Sequence, residues 1–280
     1  MRLLQYITEK LIIIGKGENY GQIVFLAGGA GSGKGFAAKN FMEYNKFKVR
    51  DVDEWKRIFI KIDKIRGGYP ELRGLDLRKP DDVFKVHDVI KKMGIKDHTL
   101  DIMLNDMRGG ILPNIMFDIT LKDKDDVTDI LPLLLEAGYE AKNIHIVWVL
   151  TDFQMAVRNN DGRDRIVPED ILLKTHVGAA KTVTEILRGD SRMINNRKLV
   201  DGQIDVILNN PTNTVYFEGH GPKDGKSVVI KDFKYIRIKK QGKAPEGDRE
   251  IRQELADWIT DNIPETDDTR EMRNYKLEDK

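Results

Sequence analysis

Cysteine is absent from the 280 residues. Disulfides, thiolate metal sites and a cysteine nucleophile are excluded with it. No apolar run approaches the ~18 residues that span a bilayer as a helix. Neither sign of charge prevails: 47 Lys and Arg face 46 Asp and Glu, for a net charge of +1. No overall field therefore draws the chain to a polyanion. Internal repeats and low-complexity blocks are also missing. The first residues, MRLLQYITEKLIIIGKG, begin like a secretion signal, but Glu9 and Lys10 interrupt the apolar run. No small-residue cleavage site follows. A short amphipathic helix and a soluble, cytoplasmic protein are expected.

What remains is an ordinary globular composition, 40% hydrophobic and 33% charged. The length suits one large domain, or one domain with an appendage. Residues 23–26 (IVFL) are a short buried-type strand. Ala37, Phe41 and Tyr44 then recur at helical spacing. Residues 47–53 (FKVRDVD) read as a second strand, and 54–110 as mostly helical. Residues 114–118 (NIMFD) make a strand ending in an acid. Val127, Ile130, Leu131, Leu134 and Leu135 form a helical stripe that Pro132 should kink or split. Residues 144–150 (IHIVWVL) read as a strand buried on both faces. A long helix follows from Pro168, carrying Leu172, His176, Ala179, Val183 and Leu187 on one side. His176 there reads as a partly buried histidine rather than a ligand. Strands alternating with helices imply βαβ units, hence an α/β fold around a mostly parallel sheet with flanking helices.

The last third differs. Residues 204–217 and 227–240 read as antiparallel hairpins, and 244–280 as an amphipathic helix with a charged tail. The expected division is 1–195, a β-rich extension over 196–243, and the tail. Residues 222–243 carry eight Lys or Arg against two Asp, and 244–280 carry six against twelve acids. The tail can fold on the basic hairpin and neutralise it, or stay solvated.

The sharpest local signal is Gly28-Gly29-Ala30-Gly31-Ser32-Gly33-Lys34, directly after a strand and before a helix. It matches the phosphate-binding loop G-x-x-x-x-G-K in the context that motif needs. Glycines let successive N–H groups turn inward toward phosphate oxygens, and the helix N-terminus adds its dipole. Lys34 can reach the β- and γ-phosphates. The next residue is Gly35, where a Ser or Thr hydroxyl usually ligates Mg²⁺. Magnesium must then be held by water or by acids elsewhere.

Acids at the end of the following strand can face the γ-phosphate and take the proton of an attacking hydroxyl. Among Asp51, Asp53 and Glu54, Asp53 is chosen as that base. Asp118 ends the third strand, where an acid can hold Mg²⁺ or contact substrate. Thr120 and Lys122 follow at alternate positions, so an extended segment would place all three on one wall. Arg158, Arg163 and Arg165 sit on a glycine-containing segment that suits a lid closing over a triphosphate. Trp55 can stack on a substrate ring, although core packing is the plainer reading.

In this order the features resemble the zeta-toxin family of P-loop kinases. The matching pieces are GGAGSGK at 28–34, VRDVDEW at 49–55, MFDITLKD at 116–123, LLLEAGY at 133–139, the strand IHIVWVL and RNNDGRDRIVPED at 158–170. The resemblance implies a P-loop NTPase-type fold. It implies transfer of the γ-phosphate of ATP, with Mg²⁺, to a hydroxyl of a small molecule such as a UDP-activated amino sugar. On that likeness Asp53 is the base, Lys34 steadies the phosphates, and Arg158 and Arg165 clamp them, with Arg163 a further candidate. Residues 28–35 would bind nucleotide; Asp118, Thr120 and Lys122 would orient substrate. An antitoxin-type protein partner belongs to the same expectation. Asp118 stands where Glu is usual, and Lys122 where Arg is usual. A polynucleotide or modified-base kinase is the alternative enzyme, favoured by the basic hairpin. A nucleotide-binding regulatory module without turnover is the non-enzymatic alternative, favoured by Gly35.

Overall fold

The computed structural model describes residues 12–66, 69–107, 110–163, 165–187, 199–209, 214–218, 226–230, 234–245 and 249–274. The expected N-terminal helix, the turns at 209–211 and 219–221, and the end of the tail lie wholly or partly outside them.

The alternation read from the sequence becomes a six-stranded sheet. Strand β1 (Ile23–Ala27) is fully buried and sits between β3 (Ile115–Asp118) and β4 (Ile144–Thr151). Strand β2 (Lys48–Asp51) pairs outside β3, and β5 (Ile204–Asn209) outside β4, all parallel. β8 (Lys234–Lys239) closes the other edge and runs antiparallel to β5. Between them, β6 (Thr214–Glu218) and β7 (Lys226–Ile230) form a separate two-stranded ribbon. The segments expected as one β-rich extension therefore contribute two strands to the main sheet and two to a ribbon.

Period-two alternation along β1 sets the two faces. Ile23, Phe25 and Ala27 pack with Phe117, Trp148 and the long helix α8 (Glu169–Leu187). Val24 and Leu26 face Ala37 and Ala38 of α1 (Lys34–Phe41). Phe25 and Phe117 stack at 5.1 Å between ring centroids. Pro132 does split its stripe, into α5 (Asp125–Thr128) and α6 (Leu131–Glu136).

The polar stretch after β2 is helical, as its pattern requires. It makes α2 (Val52–Arg66), α3 (Pro80–Lys92) and α4 (Ile95–Met107). Phe59, Ile60, Leu72, Val86 and Ile90 give this block a small core of its own. Helix α7 (Phe153–Asp161) follows β4. At the C-terminus, α9 (Arg249–Asn262) buries Leu255 and Ile259 in the main core. Helix α10 (Asp267–Asn274) follows it, and Asp268 pairs with Lys181 of α8 at 2.9 Å. Glu254 of α9 pairs with Lys234 of β8. The described part of the acidic tail is thus folded on the domain, and one of its pairs is with the basic segment.

Candidate active site

Parallel strands end together, and β1, β2 and β3 deliver their last residues to one edge. Residues 28–33 cross that edge into α1. Gly33 caps the helix with φ 88°, a left-handed backbone that favours glycine. The loop is held by residues from four parts of the chain. Gly28 N–H donates to the Thr120 carbonyl at 3.1 Å. Asn159 donates to the Gly31 carbonyl at 2.9 Å, and Thr151 to the Ser32 carbonyl at 2.6 Å. His176 donates from Nε2 to the Ala30 carbonyl at 2.9 Å. Within the loop, Ser32 N–H donates to the Gly29 carbonyl at 3.2 Å. Lys34 Nζ donates to the Gly28 carbonyl at 2.5 Å and lies 3.5 Å from an Asp118 carboxylate oxygen.

Asp51 and Asp118 are register partners at the ends of β2 and β3. Asp51 caps α2 by accepting from the Asp53 N–H at 2.8 Å. Burial pushes its carboxyl up, and the charges of Asp118 and Asp53 push it further. Asp53 itself lies in the first turn of α2, not at the end of a strand, because the strand stops at Asp51. One of its oxygens meets Lys56 Nζ at 2.8 Å, and the other the guanidinium of Arg165. Burial raises this carboxyl, but Arg165 and then Lys56 outweigh it and hold it at about 2. It is a carboxylate at any physiological pH.

The arginine segment is part helix and part loop. Arg158 belongs to α7, contrary to the loop expected for all three. Arg163 and Arg165 follow the helix and turn back toward Asp53. Burial and the neighbouring Arg165 lower the pKa of Arg163. Asn160 shapes this return: it donates to the Val167 carbonyl at 2.8 Å and accepts from the Val167 N–H at 3.0 Å. The wall of Asp118, Thr120 and Lys122 is not a continuous strand either. β3 ends at Asp118, and Leu121 takes φ 51° to drop its side chain into the core.

Of the candidate site residues, all but Gly28 line one cleft of about 1390 Å³. Residues 29–35, Asp53, Asp118, Thr120, Lys122, Arg158, Arg163 and Arg165 all border it. Trp55, Val83, Phe84, His87 and Met103 of α2, α3 and α4 line it as well. Trp55 packs on Phe59, with ring centroids 6.5 Å apart, and also borders the cleft. Several contributors escaped sequence reading. Lys56 was legible as the residue one turn after Asp53. Asn159, Thr151 and the loop-holding role of His176 carry no local signal, since their partners lie more than a hundred residues away.

Magnesium can be tested against this donor set. Among the described residues, no three His, Cys, Asp or Glu side chains cluster in a way that would hold a metal ion. Asp118 offers a hard carboxylate oxygen beside Lys34, and Gly35 offers no hydroxyl. One carboxylate with phosphate and water oxygens is a normal magnesium environment, so the residues fit.

Comparison with solved structures returns distant likenesses. A crystal structure of the AvrRxo1-ORF1:AvrRxo1-ORF2 complex with sulphate ions has a TM-score of 0.45 at 14% identity, over 90% of this chain and 74% of that one. The PezAT toxin–antitoxin system of Streptococcus pneumoniae gives 0.38 at 15%, over 73% and 72%. Deoxyadenosine kinase from M. mycoides with bound dCTP gives 0.33 at 12%, over 60% and 86%. No curated protein sequence matches. The zeta toxin family model, by contrast, matches residues 15–201, two thirds of the chain. That span covers the phosphate loop, the Asp51–Asp53 corner, the Asp118 wall and the arginine segment, and the chain belongs to the zeta toxin family of P-loop kinases.

Proposed function

We propose that the protein transfers the γ-phosphate of ATP to a hydroxyl of a nucleotide-sugar-like small molecule. The observation that carries this reading is the shared cleft: a phosphate loop with its lysine and the carboxylate of Asp53 border the same space. The roles follow from position. The loop at 28–34, through its unengaged amides, and Lys34 cradle the triphosphate. Arg158, Arg163 and Arg165 gather on the transferring phosphoryl, whose charge is spread over its oxygens in the transition state. Asp53 takes the proton of the acceptor hydroxyl. Asp118, Thr120 and Lys122 orient that acceptor, and Asp118 also holds magnesium. The ion would supply charge neutralisation at the phosphates.

The rival acceptor, a polynucleotide, draws support from the basic stretch 222–243. Three of its cations are already engaged. Lys239 is fully buried on Asp201 at 2.9 Å, Arg237 pairs with the buried Asp205, and Lys234 with Glu254. The aromatic wall of Trp55 and Phe84 suits a ring-bearing small molecule instead. An antitoxin-type protein partner accompanies this reading as part of the family's character. Among the described residues no helix is long and apolar enough to cross a membrane.

Transfer of label from γ-³²P-ATP to UDP-sugars, free nucleosides and oligonucleotides tests the proposal. Label on a UDP-sugar is the expected result. Label confined to oligonucleotides, with binding that weakens steeply in salt, would replace it with the polynucleotide reading. Binding of ATP with no label on any acceptor would favour the regulatory module.

A further inference from the structure

Lys56 has no place in the phosphate loop, the arginine segment or the acceptor wall. Yet it is only 6% exposed, and its ammonium sits 2.8 Å from Asp53 Oδ1. The adjacent pair on α2 supplies a contrast. Arg57 and Glu54 have the same i,i+3 spacing and the same 2.8 Å contact, but there both partners are more than one-third exposed, whereas in the Lys56 pair only the carboxylate is and the ammonium is buried. Solvated pairs of that kind contribute little. A buried ammonium is costly without a partner, and a carboxylate offsets that cost. Lys56 is therefore tied to Asp53 rather than merely near it.

The two oxygens of Asp53 are divided between elements. Oδ1 is held by Lys56 from the same helix, one turn on. Oδ2 is held by Arg165, which arrives from the segment after α7 and is 6% exposed. Arg163, Asp51 and, from α3, His87 complete the charged surroundings of this carboxylate. One partner is fixed by helix geometry. The other stands on a segment that lines the same cleft as the phosphate loop.

We propose that Lys56 is a positioning residue for Asp53, and that Arg165 covers the proton-accepting oxygen until a γ-phosphate draws it away, so that nucleotide must bind before the acceptor can be deprotonated. This rests on the kinase reading above. With Arg165 on the phosphate, Lys56 keeps the carboxylate ionised and its Oδ2 turned to the cleft. The acceptor proton then passes to Oδ2 and the acceptor oxygen bonds to the γ-phosphorus. The bond from that phosphorus to the β–γ bridging oxygen breaks, and its electrons leave with ADP. An acceptor that arrives first meets a base already engaged.

Steady-state kinetics of Lys56→Met and Lys56→Arg test the positioning role, with ATP and UDP-N-acetylglucosamine, and with water as acceptor in ATP hydrolysis. Lys56→Met should lose roughly tenfold or more in kcat, a part of the ~10²–10⁴ expected of a general base. Its KM for ATP should stay within about twofold, since only transition-state interaction is removed. Lys56→Arg, which keeps the cation, should recover most of the rate. Unchanged kcat in Lys56→Met, or a loss confined to KM, overturns the role. A measurement on the unsubstituted protein covers the case of a variant that does not fold. The ¹³C carboxyl resonance of Asp53, assigned by its disappearance in Asp53→Asn, should shift as β,γ-imido-ATP saturates the site. A resonance that stays put while the analogue binds overturns the exchange of Arg165. If the analogue binds and no UDP-sugar is phosphorylated, the acceptor reading fails alone; hydrolysis and the resonance still decide this proposal.

Discussion

The imidazole of His176, in the middle of α8, donates to the carbonyl of Ala30 in the phosphate loop at 2.9 Å. The ring is 2% exposed and also fills the space beside Gly29, where any Cβ would strike it. The long helix is thereby pinned to the loop through a side chain that sequence reading took as a partly buried histidine. It is fully buried, and its polar end is what reaches the loop.

That contact predicts a loop defect from a remote helix. Gly29→Ala must displace the ring or the loop, and His176→Ala leaves the Ala30 carbonyl without its donor. Either change should weaken ATP binding by roughly tenfold, the worth of about 1–2 kcal/mol in a buried hydrogen bond and its packing. Calorimetric titration with ATP measures it. Affinities equal to that of the unsubstituted protein would show that the loop holds its shape without the histidine.

Asp53→Asn separates binding from chemistry. The amide keeps the volume and loses both the proton-accepting ability and the attraction to Arg165 and Lys56. Label transfer should fall by about 10²–10⁴-fold, the usual contribution of a general base. ATP affinity should change by only a few-fold, because the loop and Lys34 are untouched. Normal transfer by this variant would move the base elsewhere, with Asp51 next in position.

The phosphate loop was legible because its chemistry is local: glycines, lysine, strand and helix all fall within about fifteen residues. The parallel core was legible for the same reason, since IVFL and IHIVWVL announce buried strands by composition alone. Boundaries set by capping were not. Residues 47–53 look uniformly strand-like, but Asp51 accepts from the Asp53 N–H and turns the chain into α2 two residues early. Leu121 breaks its wall for a tertiary reason, trading a left-handed backbone for a buried side chain. Strands β5 and β8 read as hairpin partners of their sequence neighbours. Nothing local says that β5 prefers β4, where Ile204 pairs with Ile146, because so distant a partner is beyond the reach of pattern arguments, as parallel pairing usually is.

Gly35 invites a gain-of-contact test. A Cβ there meets nothing within 4 Å, and the backbone is not in the left-handed region. Serine therefore fits without strain and restores the hydroxyl that phosphate loops usually present to magnesium. Gly35→Ser should lower the magnesium concentration needed for half-maximal transfer, or raise the rate at limiting magnesium. A flat response in both would mean that the coordination position is already filled by another oxygen, with Asp118→Asn then expected to raise the requirement.

Acid should loosen the fold through two buried histidines. Burial lowers His176 from its ordinary 6.5 to about 4, and His145 to about 3. His145 is neutral by its contacts too. Its Nδ1 accepts from the Gln203 N–H at 2.9 Å, and its Nε2 lies 2.9 Å from Gln22 Oε1. The unfolded chain takes up these protons as pH falls below about 6.5, while the native state refuses them until near 4 and 3. Stability is therefore full above 6.5 and declines through the window beneath it. At pH 5 each histidine costs the fold about 2 kcal/mol, from 1.5 pH units at ~1.36 kcal/mol each. Asp51 and Asp205, whose carboxyls burial pushes up, act in the opposite direction. A substitution isolates the histidine contribution from theirs. His176→Gln should start less stable at pH 7 and lose less between pH 7 and 5 than the unsubstituted protein. Urea unfolding at the two pH values reads both numbers, and parallel losses in the two proteins would remove His176 from the acid response.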